Sequence, residues 1–131
     1  MKMDYYFSTI IKSDFQESNT KVTEALKTEG FSIITQIDLQ AKFREKLGVD
    51  FKKYTILGAC NPASAFKALQ MEEKIGTMLP CNVLLIDREN GTTEVAAVNP
   101  LASMMAIQNS ALEPLAIEIT EKLKRMIASL K

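Results

Sequence analysis

Each of the chain's two cysteines is followed at once by an asparagine. The first stands in Ile56-Leu57-Gly58-Ala59-Cys60-Asn61-Pro62 and the second in Leu79-Pro80-Cys81-Asn82. A strand-like run ends at Cys60, and Asn61-Pro62 reads as a helix N-cap followed by a first-turn proline. That sets the thiol beside the positive end of a helix, a place that favours thiolate. If the strands leading into Cys60 and out of Cys81 are antiparallel neighbours, the end of one meets the start of the other, and Cys60, Asn61, Cys81 and Asn82 converge. Two thiols in one place suit soft metals such as copper(I) or zinc, or thiol chemistry in which the asparagine amides position a ligand. A closed zinc site takes about four ligands, and with no histidine the remainder must be carboxylate, water or a second subunit. Packing explains the same residues without chemistry. Asn61 then caps a helix, Asn82 satisfies backbone groups in a turn, Pro62 and Pro80 set chain direction, and both thiols fill small core spaces. Asp38, near another strand end, is a further polar candidate for a ligand site, and an N-cap role accounts for it equally.

Composition limits what such a site can do. The chain has no histidine, which removes Ser-His-Asp and Cys-His activation, histidine metal sites and the usual near-neutral general base. Its 131 residues, 47% hydrophobic and 24% charged, fit one globular domain over residues 1–131. Sixteen basic and sixteen acidic residues cancel, so no bulk charge draws nucleic acid or an anionic membrane. No run approaches the roughly 18 apolar residues of a membrane span. Met1 to Tyr6 hold two charges and no long apolar run, so a cytoplasmic protein is expected, and two cysteines then make no disulfide framework but a pair of reduced thiols.

The elements that must position these residues follow from periodicity. Met3 to Ile11 is aromatic and β-branched and predicts a first strand. Ser13 and Gln16 have capping-box spacing, and Phe15, Val22, Ala25 and Leu26 fall on one helical face that ends at Gly30. Phe31 to Ile37 predicts a second strand, then a short helix from Asp38 to Gly48 carrying Ala41, Phe43 and Leu47. Tyr54 to Ala59 predicts a third strand. The helix from Asn61-Pro62 is expected to put Ala65, Phe66 and Leu69 on a core face, with Gly76 as its break. Cys81 to Ile86 is nearly all apolar and predicts a central strand covered on both faces, turned by Asn90-Gly91 into Thr93 to Val98. Asn99-Pro100 opens a short helical piece. Ser110 and Glu113 predict a second capping box ahead of the longest helix, whose stripe runs from Leu112 through Leu115, Ala116, Ile119, Leu123, Met126 and Ile127 to Leu130.

The ordered signals Gly30-Phe31, Ile37-Asp38, Glu45-Lys46-Leu47-Gly48, Leu57-Gly58-Ala59-Cys60-Asn61-Pro62 and Leu79-Pro80-Cys81-Asn82 resemble the family called domain of unknown function 302. Gln36 stands where an acidic residue is expected before Ile37-Asp38. The resemblance implies an α+β fold, a curved, mainly antiparallel sheet of about five strands with helices packed on one face, in a TBP-like order of strand, helix, four strands and long helix. It implies no activity.

With no catalytic constellation in view, the expectation is a homodimeric binding module, since a small open sheet often covers its free face or edge with a second copy. A small-molecule or soft-metal ligand at Cys60, Asn61, Cys81, Asn82 or Asp38 is the candidate occupant. The other reading is a thiol-dependent enzyme or a sulfur- or metal-handling protein that uses the two cysteines.

Overall fold

A computed structural model describes residues 4–131. Runs of β-branched and aromatic residues form five strands, β1 (Tyr6–Ile11), β2 (Ser32–Asp38), β3 (Tyr54–Cys60), β4 (Cys81–Asp87) and β5 (Thr93–Val98). They join in one antiparallel, unclosed sheet in the order β1-β5-β4-β3-β2, with β4 at the centre. Met3, expected in the first strand, lies outside the described residues, and that strand begins at Tyr6.

Among the described residues five α-helices connect and cover the strands: α1 (Phe15–Thr28), α2 (Leu39–Leu47), α3 (Pro62–Met71), α4 (Pro100–Met104) and α5 (Glu113–Ser129). Val22 and Leu26 of α1 and Ile119, Leu123, Met126 and Ile127 of α5 pack on one sheet face, against Leu57, Ala59, Val83, Leu85, Val95 and Ala97. Burying the Val, Leu, Ile and Met side chains of this layer contributes roughly 1.5 to 3 kcal/mol each, which makes it the main source of stability.

The opposite face follows from the register. Ile37, Ile56, Leu84 and Ala96 lie side by side across β2, β3, β4 and β5. Tyr6 and Ile10 extend the same face on β1, and Ile10 is 57% exposed. The expectation that β4 is covered on both faces is therefore corrected: Val83 and Leu85 are fully buried, while Leu84 and Ile86 are only half-buried. A nearly all-apolar run of this kind marks the centre of a sheet, but it does not require helices on both sides.

Caps explain most of the boundaries. α1 closes with Gly30 at φ +84, where the Gly30 N–H donates to the Lys27 carbonyl and the Phe31 N–H to the Leu26 carbonyl, the paired bonds of a Schellman ending. Its start differs from the expected Ser13 box. The Asp14 carboxylate accepts from the Glu17 N–H at 2.8 Å, a charged cap at the positive helix end. The Ser13 carbonyl accepts instead from the Ser18 and Thr93 hydroxyls. The second expected box is corrected as well: Asn109, not Ser110, caps the 3-10 turn Ser110–Leu112, and α5 begins at Glu113 without a side-chain cap.

Candidate functional site

β3 and β4 run antiparallel with Ala59 opposite Cys81 and Gly58 opposite Asn82. This brings the end of one strand beside the start of the other, as the two Cys-Asn pairs suggested. Gly58 is required by its neighbours: a Cβ there would meet Thr35 Oγ1 at 2.0 Å and Pro80 Cγ at 2.7 Å. The absence of a side chain at Gly58 lets Pro80 lie against the sheet immediately ahead of Cys81.

α3 leaves β3 at Asn61. The Asn61 side-chain oxygen accepts from the Ser64 N–H at 3.4 Å, and its Nδ2 donates to the Glu29 carbonyl at 3.5 Å. One amide thus caps the start of α3 and reaches the end of α1. β2 has a register shift between Ile33 and Thr35 that leaves Ile34 without a ladder partner. A bulge of this kind re-aims a side chain, and Ile34 borders the site.

Between these elements lies a cavity of about 270 Å³. Cys60, Asn61 and Cys81 all line it, together with Ala65 and Leu69 of α3, Met104, and Leu115 and Ile119 of α5. Apart from the two thiols, the wall has only Asn61 and Ser64 as polar side chains. Both cysteines are half-buried free thiols. Burial, and after it the charge of the neighbouring Cys60, pushes the Cys81 thiol from its ordinary 9.0 up to about 11. At neutral pH Cys81 is therefore a protonated, weakly donating group rather than a nucleophile. Among the described residues, no three of His, Cys, Asp or Glu are grouped so as to hold a metal ion.

The five candidate residues divide. Cys60, Asn61 and Cys81 share the cavity. Asn82 does not border it: it pairs with Gly58, is exposed, and lines a second cavity of about 280 Å³ with Val98, Pro100 and Ser103. Leu79, Pro80, Cys81 and Met104 border both. Alternation along a strand accounts for this, because a residue next to the inward Cys81 must face outward. Asp38 is farther off. It pairs with Thr55, five residues along β3 from Cys60 and hence roughly 17 Å away at about 3.3 Å per residue. Its carboxylate accepts from the Ala41 N–H at 3.0 Å and caps α2.

Helical spacing misplaces two residues of α3. Phe66 is 65% exposed and Leu69 43%, whereas Ser64 and Ala68 are buried. Ala68 packs with Ile75, Leu112 and Leu115, Ala65 and Leu69 border the cavity, and Phe66 faces outward, so spacing alone does not distinguish core from cavity wall or solvent. Ile34, Met104, Leu115 and Ile119 belong to the site with no local signal, since distant segments bring them there. A larger cleft of about 530 Å³ beside α4 and α5 contains neither cysteine.

No helix among the described residues is long and apolar enough to cross a membrane. No curated protein matches the chain. A solved structure described as the uncharacterized conserved protein DUF302 from Bacillus stearothermophilus is 27% identical, with a TM-score of 0.90, and the match covers 98% of this chain and 100% of that one. The family described as "Domain of unknown function DUF302" matches residues 7–130, nearly the whole chain and every element that builds the cavity, and the chain belongs to that family.

Proposed function

We propose that the chain is a small cytoplasmic homodimeric binding module, whose TBP-like arrangement of strand, helix, four strands and long helix holds a small molecule in the Cys60–Cys81 cavity. The observation that carries this reading is the cavity itself: about 270 Å³, walled almost wholly by hydrocarbon. Concave apolar sites with a few convergent polar groups are the usual form of a small-molecule site. A protonated Cys81 and the lack of histidine weigh toward binding and away from catalysis. The balanced charge gives no reason to invoke nucleic acid or a membrane. Support for the dimer comes from the outer sheet face, where Tyr6, Ile10 and Ile37 are exposed beside half-buried Ile56, Leu84 and Ile86. Apolar surface of this extent is commonly covered by a partner, and a two-fold axis supplies one from the same chain.

Native mass spectrometry of the purified protein tests both parts. A dimer mass with a small organic adduct, lost when Ala65 is replaced by Phe, is the expected result. A monomer at micromolar concentration overturns the dimer, and an adduct unaffected by Ala65→Phe overturns the cavity. One observation favours a second reading, a thiol-dependent or soft-metal protein: Cys60 and Cys81 border the same space. Fast, selective alkylation of native Cys60 or Cys81 by iodoacetamide would support it.

A further inference from the structure

We infer that the Cys60–Cys81 cavity selects an uncharged molecule of about ten non-hydrogen atoms that has a hydrocarbon body and a single hydroxyl or carbonyl group. This rests on the binding reading above and adds the chemical class of the occupant. Size comes first. An engineered apolar cavity of about 150 Å³ accepts benzene, so the space of about 270 Å³ here suits an occupant nearly twice as large. It falls just short of the range of about 300 to 1,000 Å³ typical of drug-sized ligands.

Charge comes second. The lining contains no Asp, Glu, Lys or Arg. An ionised carboxylate or ammonium seated against this wall would give up part of its hydration for no counter-charge. A neutral ligand loses little.

The polar groups also lie at one end. Asn61 and Ser64 stand at the start of α3, next to the strand ends that carry Cys60 and Cys81. Leu115 and Ile119 of α5 supply hydrocarbon to the wall. Both hydrogen bonds of the Asn61 amide are long, at 3.4 and 3.5 Å, and the amide retains a second N–H and a second lone pair. A ligand hydroxyl can take either, and a ligand carbonyl can accept from the N–H. A polar group at the other end of a ligand would stand unpaired against hydrocarbon.

A matched series of 1-octanol, octanoate and octylammonium, titrated at pH 7.5 into the full chain with ¹⁵N-resolved NMR, separates the outcomes. The expected result is saturable shifts of the Asn61 side-chain amide and of the Ser64 and Ala65 backbone amides with octanol, with octanoate and octylammonium at least tenfold weaker. Ala65→Phe, which fills the cavity, and Asn61→Ala, which removes the polar partner, should each weaken octanol at least fivefold. Octanoate or octylammonium binding as tightly as octanol at the same amides would overturn the charge selection while the binding reading stands. If none of the three shifts these amides, both fail together. Wild-type shifts that map to the cleft beside Met105 and Gln108 instead would overturn the site without recourse to a variant.

Discussion

Gly58 lies so close beneath Pro80 that a Cβ on it would stand 2.7 Å from Pro80 Cγ. The same Cβ would stand 2.0 Å from Thr35 Oγ1. Backbone and ring therefore meet where Gly58 of β3 lies between its β2 partner Thr35 and Pro80, just ahead of Cys81. Gly58→Ala should destabilise the protein by about 1 to 3 kcal/mol through overpacking. Thr35→Ala in the same chain should return part of that loss, because it removes the nearer atom and leaves Pro80. Urea midpoints of the two single variants and the double variant form the cycle that measures the coupling. Strict additivity would show that the contact does not bear on stability.

Asn61→Ala should cost on the order of 1 kcal/mol, the usual effect of losing an N-cap. Asn61→Asp keeps the acceptor for the Ser64 N–H but cannot donate to the Glu29 carbonyl, so it should recover most of the cap. Denaturant midpoints at unchanged slope are the readout. Equal losses for Asp and Ala would shift the weight to the reach toward Glu29.

Stability should depend on Cys81 in alkali. Its thiol in the folded protein titrates near 11 against an ordinary 9.0, so on raising the pH the unfolded chain releases this proton first. The contribution is complete below about pH 9 and declines as the pH climbs toward about 11. Over that window the native protein should lose on the order of 2 kcal/mol more than Cys81→Ala does. Urea unfolding at a series of pH values compares the two, and parallel curves would show that Cys81 titrates as an exposed thiol. For the same reason, alkylation of native Cys81 at pH 8 should run about 100-fold slower than that of an unperturbed thiol.

Ile10→Glu places a charge on the outer sheet face without touching the cavity. If that face pairs two copies, sedimentation should show at least a tenfold weaker dimer, with thermal stability of the isolated domain nearly unchanged. A dimer of unaltered strength would transfer the interface to an edge strand or to a helix.

Local chemistry made much of the fold legible. Asp38, Asn61 and Asn99 each cap the helix that follows them, and each is a short polar residue standing just where a strand pattern stops. Asn90-Gly91 marks the β4–β5 hairpin with Gly91 at φ +84. Legibility failed where two local signals compete, as with Ser13 and Asp14, since both residues can cap and only the carboxylate adds charge. It also failed where position depends on distant segments. The meeting of Cys60 with Cys81 could be reasoned from strand order, but the walls contributed by Ile34, Met104 and Ile119 depend on how β2, α4 and α5 fold back. Asn82 is an intermediate case. Its outward direction follows from period two once Cys81 is known to face inward, and nothing in a Cys-Asn pair states which of its members that is.

Ile34 carries a consequence for kinetics. It is the unpaired residue of a bulge on an edge strand, 58% exposed and part of the cavity wall. Segments with free backbone groups and little burial open at a small fraction of the global unfolding free energy. The cavity wall at Ile34 should then loosen by fraying of β2, and amide exchange at Ile33 to Thr35 should run far ahead of exchange in β4 even when the protein as a whole stays folded.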